Sequence, residues 1–207
     1  MTEIVTDLDP LRILLYYRGM KVYKLGEDIL RVKATPLTEV TDETRVLIDD
    51  MFATMHEKNG IGIAGPQVGI DKRIFVIELD DEVKHVFINP QITATSEETS
   101  MYEEGCLSIP GVYESIERPV KVTVQALNRD GKLFTLDADG LLARAIQHET
   151  DHLDGILFID RGDPEFRAKT IENFEKKLQR KRQKDAEKKV KAERLARKLA
   201  AKEGKTV

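Results

Sequence analysis

The segment Gln147-His148-Glu149-Thr150-Asp151-His152 constrains this chain more than any other. On a helix, side chains four residues apart share a face, so His148 and His152 present their imidazoles together. Leu141, Leu142, Ala145, Ile146 and Leu153 recur at helical spacing on the histidines' side, which predicts a buried helix over Gly140–Leu153. Asp139-Gly140 reads as the turn into it and Asp154-Gly155 as its stop. Polar groups on a buried helix demand partners. Two imidazoles so placed can hold one metal ion, with Glu149 in reach of a water on that ion. The plainer alternative is a pair of hydrogen-bonded core histidines with a solvated Glu149; the helical setting favours the metal.

Cys106 is the single cysteine, so no intramolecular disulfide is possible. A lone cysteine is usually a small buried hydrophobe. Here it stands in Glu104-Gly105-Cys106-Leu107-Ser108, between glycine and polar residues, which favours a ligand. One thiolate and two imidazoles leave a coordination position open, as catalytic sites do.

A helix starts at Thr41 or Asp42 with a capping residue, turns Val46, Leu47, Ile48, Met51, Phe52 and Met55 inward, and ends at Asn59-Gly60. Gly60-Ile61-Gly62-Ile63-Ala64-Gly65-Pro66-Gln67-Val68-Gly69 comes next. It contains G-x-G-x-x-G, yet the dinucleotide fingerprint needs a strand before it and a helix after it. Here a helix precedes and Pro66 interrupts, so the segment reads as a loop whose bare backbone lies near a ligand. Gln67 is its one polar side chain and the candidate to point inward. Strands are expected at Arg73–Leu79, Lys84–Asn89 and Ile92–Thr95, broken at Asn89-Pro90. Val120, Val122, Val124 and Ala126 alternate with polar residues as a half-buried strand, Asn128–Gly131 turns, and Lys132–Leu136 returns. Asp137-Ala138-Asp139-Gly140 lacks most ligand positions of a calcium loop and reads as a turn. His56 and His85 read as surface residues. The fold class expected is α+β: antiparallel sheets packed around the central helix, with a long basic helix at the C-terminus.

Charge divides the chain. Residues 167–207 hold 16 Lys and Arg against 6 Asp and Glu, a net of +10, while the remainder carries −14. A basic arm on an acidic body suggests a polyanionic partner such as RNA, against the plainer reading of a solvated helix. Hydrophobic residues make up 41%, enough for a core, and no apolar run approaches the length of a membrane span. Leu11–Tyr17 is too short for a signal segment and carries Arg12, so a cytoplasmic protein is expected. The organisation expected is an extension over residues 1–19 with no assigned role, a catalytic body over 20–165 and a basic helical extension over 166–207.

Three segments, GIGIAGPQVG at 60–69, EGCLS at 104–108 and QHETDHLDG at 147–155, together resemble the signature motifs of peptide deformylases: G-x-G-x-A-A-P-Q-x-G, E-G-C-L-S and Q-H-E-x-D-H-L-x-G. The last two agree throughout. The first has Gly65 where alanine is usual, an exchange expected to loosen the loop. The likeness spans roughly residues 20–165. It implies an α+β fold with the third motif on a central helix, and a metal-dependent hydrolase that removes the formyl group from N-formylmethionyl peptides and releases formate. It also implies that Cys106, His148 and His152 bind one divalent ion, commonly Fe2+, with Zn2+, Ni2+ or Co2+ accepted. Glu149 would be the general base, Gln67 and the Leu107 N–H would hold the oxyanion, and Ile61, Gly62 and Gly105 would line the substrate. Tyr113 stands where many bacterial relatives carry arginine, which leaves side-chain preference beyond methionine open. By analogy the basic C-terminal helix docks on the ribosome. A monomer acting on nascent chains, with no membrane partner, is expected. The rivals are an HExxH metallopeptidase, disfavoured because Cys106 lies upstream of the helix, and a catalytically silent ribosome-bound relative, disfavoured because Glu149, Gln67 and the three ligands are intact.

Overall fold

Thr41 opens the first helix, α1 (Asp42–Glu57), with a reciprocal cap. Its hydroxyl accepts the Thr44 N–H at 3.4 Å while the Thr44 hydroxyl accepts the Thr41 N–H at 3.3 Å. In this computed structural model, which describes residues 19–203, Ile48, Met51, Phe52 and Met55 of α1 are buried, whereas Val46 faces outward. Asn59 ends the helix in the left-handed region, with φ of 56°.

Beyond α1 lies a five-stranded antiparallel sheet, in the order β1 (Gly62–Ala64), β2 (Ile74–Glu78), β3 (Lys84–Thr95), β6 (Lys121–Leu127), β7 (Leu133–Asp139). β2 is apolar on both faces because both are covered. Phe75 and Ile77 pack with Phe87, Val122, Val124 and Ala126. Ile74 and Val76 join Ile48, Met51, Phe52 and Met55 of α1. Each such side chain contributes roughly 1.5–3 kcal/mol when fully buried.

The first of those clusters is completed by Ala143, Ala145, Ile146 and Leu153 of α2 (Gly140–Leu153). This is the predicted helix at its predicted bounds. Leu141 departs from expectation: it is 42% exposed rather than sharing the buried side. Gly155, with φ of 72°, closes the helix where an added Cβ would stand 2.7 Å from the Arg31 carbonyl oxygen.

Other differences have local causes. β3 runs on through Asn89-Pro90, where a break was expected, by a bulge between Ile88 and Gln91 that needs no N–H from Pro90. Asn89 adopts φ of 52° there, and its side-chain amide exchanges two 2.8 Å hydrogen bonds with the backbone of Leu37. Asp137 and Ala138 pair within β7 rather than turning, and only Asp139-Gly140 bends into α2. His85 is half-buried, with its ring stacked on Phe87, whereas His56 is exposed and 3.1 Å from Glu78.

A second, two-stranded sheet, β4 (Thr99–Cys106) with β5 (Ile109–Pro119), was not anticipated. β4 is exposed at most positions and lacks the apolar alternation that announces a strand. With β5 it lines the same cavity as Gly62 of β1.

The chain divides into one unit ending at Pro164 and another beginning at Glu165. The latter is carried by the 40-residue helix α3 (Pro164–Glu203), with proline at its first position. Glu172 and Lys176 pair at 2.5 Å along it, four residues apart. Among the described residues no helix is long and apolar enough to cross a membrane. Residues 1–18 of the expected N-terminal extension lie outside the described residues.

Candidate metal and catalytic site

α2 projects His148 and His152 toward the end of β4, where the hairpin into β5 presents Cys106. Donor atoms of Cys106, His148 and His152 lie within 4.8 Å of one another. Cys106 Sγ is 3.2 Å from His152 Nε2, and the two imidazoles stand edge to face with centroids 5.1 Å apart. His148 Nδ1 donates to Glu104 Oε2 at 2.9 Å, which turns Nε2 toward the thiol. His152 Nδ1 is buried without a hydrogen-bond partner.

Burial opposes ionisation of the Cys106 thiol, but His152 and His148 beside it overcome that and hold it well below the ordinary thiol range. Burial likewise disfavours the His148 cation, yet Cys106 and Glu104 raise this imidazole to about 10. Both shifts favour a thiolate beside an imidazolium in the metal-free site, so a divalent cation entering it would displace a proton. A thiolate and two imidazoles converging from a helix and a hairpin fit a tetrahedral ion with one position left open.

Glu149 is 4% exposed, and its Oε2 has no partner. Burial raises this carboxyl to about 7 against the pull of His148 and His152. It occupies space that only glycine leaves: a Cβ on Gly62 would be 2.6 Å from Glu149 Oε1. Gln67, 1% exposed, is fixed by its own loop, its Oε1 accepting the Ala64 N–H at 2.8 Å. That bond aims Nε2 at Cys106 Sγ and Ser108 Oγ, each at 3.3 Å. Gly65 lies in this loop against the backbone of Ile70 and Lys72. A Cβ there would stand 2.7 Å from the Lys72 carbonyl and 2.9 Å from that of Ile70, so backbone has closed into the space a methyl would occupy.

A cavity of about 550 Å3 joins these groups. Ile61, Gly62, Gln67, Gly105, Cys106, Leu107, His148 and Glu149 all line it, and His152 lies behind Cys106. Tyr102, Tyr113 and Leu141 form its rim.

The sequence reading missed the lattice of buried charges behind His148. Glu104 accepts from Arg118 Nε at 2.6 Å and Nη2 at 2.9 Å, and from Arg144 Nη1 at 3.0 Å. Arg118 also donates to Asp151 at 2.8 Å, and Arg161 closes on the other Asp151 oxygen at 2.5 Å. His148 and Arg118 hold the Glu104 carboxyl far below the usual range despite burial. One signal was available: Arg144 stands four residues before His148, on the same buried face, and a buried guanidinium requires carboxylates.

A family model described as polypeptide deformylase matches residues 20–168. A peptide deformylase of Treponema pallidum is 50% identical over 155 residues, covering 75% of this chain and 95% of that protein. One from Azotobacter vinelandii is 53% identical over 143 residues, covering 68% and 85%. Among solved structures, a peptide deformylase from Synechococcus elongatus in complex with actinonin is 43% identical, with a TM-score of 0.71 over 74% of this chain and 85% of that one. A plant peptide deformylase is 33% identical, with a TM-score of 0.75 over 79% and 93%.

Proposed function

The chain belongs to the polypeptide deformylase family, metal-dependent hydrolases that remove the formyl group from N-formylmethionyl peptides and release formate, and from that footing we propose which residues carry the reaction. The observation that carries the proposal is the buried carboxyl of Glu149, with its Oε2 unpartnered, beside the Cys106, His148 and His152 donor set.

We propose Cys106 Sγ and the Nε2 atoms of His148 and His152 as the ligands. A cation held there supplies Lewis acidity, lowering the pKa of water and polarising the formyl carbonyl. Glu149 takes the proton of the attacking water. The water oxygen bonds to the formyl carbon, the C–N bond breaks, and Glu149 returns the proton to the departing amine. The Gln67 amide and the Leu107 N–H receive the charge that develops on the formyl oxygen; Gln67 is already held in place by its bond from Ala64. Ile61, Gly62 and Gly105 line the peptide backbone. Ferrous iron is the proposed native ion on the family resemblance, since a thiolate with two imidazoles accepts Zn2+, Ni2+ or Co2+ as readily. Metal analysis of anaerobically purified protein tests it.

Formate release from a short formyl-Met peptide by metal-loaded protein, alongside Glu149→Ala, tests the site. Loss of turnover with the metal retained supports it, and an active Glu149→Ala overturns it. An unformylated peptide left intact separates the enzyme from a peptidase. Actinonin, found in complex with the Synechococcus elongatus enzyme, is expected to bind this cavity too.

We further propose residues 20–165 as the catalytic domain of a cytoplasmic monomer and the basic residues 166–207 as a ribosome-binding extension, supported by the net +10 of residues 167–207. Deleting residues 180–207 should weaken ribosome association most at low salt and leave turnover of a free peptide nearly unchanged. Equal binding by the truncated protein counts against it. Light scattering tests the monomer.

A further inference from the structure

The segment Tyr23-Lys24-Leu25 laces together the two loops of the site. The Tyr23 N–H donates to the Gln67 carbonyl at 2.8 Å, and the Leu25 N–H to the Ser108 carbonyl at 3.0 Å. Between them Lys24 Nζ donates to the Leu107 carbonyl at 2.6 Å. Lys24 is half-buried and lines the cavity, and among the described residues no carboxylate forms a salt bridge with its ammonium. The nearby Glu27 carboxylate is engaged by Lys21 Nζ and by the Lys24 backbone N–H, each at 2.6 Å. A half-buried cation that spends its bond on a carbonyl has a use other than ion pairing.

That carbonyl shares a peptide plane with the Ser108 N–H. In a trans peptide the two point in opposite directions, so pinning one aims the other. The Ser108 N–H reaches Cys106 Sγ at 3.4 Å, on a sulfur that also receives Gln67 Nε2 at 3.3 Å. The ammonium polarises this peptide as well as orienting it, which strengthens the N–H···S bond.

We infer that Lys24 is a positioning residue for deformylation: acting through the Leu107–Ser108 peptide, it sets the hydrogen bond to the Cys106 sulfur and holds Leu107 in register with the substrate. The inference rests on the ligand and oxyanion roles proposed above for Cys106 and Leu107. A sulfur that receives N–H bonds donates less charge to a bound cation, which keeps more of its Lewis acidity. Without Lys24 the sulfur becomes the stronger donor and the Leu107 segment is less well fixed, so the chemical step slows while ground-state binding of the peptide is spared.

The experiment compares wild type with Lys24→Met, Lys24→Gln and Lys24→Arg, each loaded with cobalt and corrected for bound metal. Lys24→Met should lose about tenfold in kcat, the size of one charged hydrogen bond, with KM within twofold. Its thiolate-to-cobalt charge-transfer band should move to longer wavelength. Lys24→Arg should restore both, and Lys24→Gln, a neutral donor of shorter reach, should fall between and serves if the methionine variant does not fold. An unmoved band, unchanged kcat, or a defect confined to metal content and thermal midpoint overturns the inference. The site reading fails separately, through a silent wild type or an active Glu149→Ala.

Discussion

Gly62 and Glu149 contend for the same volume: the carboxylate fills the space that a side chain on β1 would take, with Oε1 2.6 Å from the Cβ position. The obstacle to a methyl there is the acid itself. Gly62→Ala should therefore swing Glu149 out of line while leaving Cys106, His148 and His152 untouched. We expect kcat to fall on the order of 100-fold, as an ångström of misplacement does, with metal content unchanged. Steady-state kinetics with metal analysis on the same samples checks this; full activity in Gly62→Ala would show that Glu149 has room to adjust.

Glu104 joins the proposed metal-binding cluster to the buried arginines, accepting from His148, Arg118 and Arg144 at once. Glu104→Gln keeps the shape and removes the charge, leaving guanidinium groups buried without compensation. Breaking a buried pair in this way costs about 3–5 kcal/mol, and losing the carboxylate behind a ligating histidine costs about 10–100-fold in metal affinity. The acid side has a definite sign. The folded carboxyl lies below its unfolded value, so its stabilisation is complete above about pH 4.3 and is lost as pH falls through the folded value. Urea unfolding between pH 3 and 7 should therefore show a steeper acid loss in wild type than in Glu104→Gln.

How much of this was legible in the sequence depends on the forces that hold each part together. α2 could be bounded to the residue because Asp139-Gly140 and Asp154-Gly155 punctuate an apolar repeat, and the turn at Asn128–Gly131 carried its own chemistry. The hairpin β4–β5 could not, because β4 is held by charge where it shows no apolar repeat: Arg144 Nη2 donates to the Ser100 carbonyl and Nη1 to that of Ile116, both at 2.8 Å. Periodicity is blind to such contacts. Lys24 was equally invisible, 83 positions from the carbonyl it grips. The cavity residues announced themselves as glycines and short motifs; their supports are scattered single charges whose partners only the fold brings near.

Glu149 should also leave a mark on the metal-free protein. Its carboxyl rises to about 7 through burial, so the folded state holds a proton that the unfolded state releases near 4.3. Between those values the native state binds more protons, and stability falls as pH rises; above about 7 the loss is complete. Glu149→Gln removes that loss. Chelator-treated Glu149→Gln is expected to exceed wild type in stability by roughly 3–4 kcal/mol at pH 8, and to match it near pH 4. Paired denaturation curves at the two pH values decide it, and an advantage of equal size at both would rule out titration as the cause.

Tyr113 stands at the rim of the cavity, and we predict that it contacts the residue next after formyl-methionine in the substrate. It sits directly across the strand pair from Gly105, with its ring over that glycine, where a Cβ would be 2.7 Å from Cε1. The ring is 61% exposed at the cavity rim, near Tyr102 and Leu141, which are also exposed. An aromatic rim with no reacting atom beside it contributes to binding equally in ground and transition states, so its loss should appear in KM rather than kcat. Tyr113→Ala is expected to raise KM about fivefold for peptides with an apolar residue after methionine, the worth of one aromatic contact, and less for peptides with a charged residue there. Tyr113→Phe should behave as wild type. A fall in kcat in Tyr113→Ala would mean instead that the ring holds Gly105, and through it Cys106, in place.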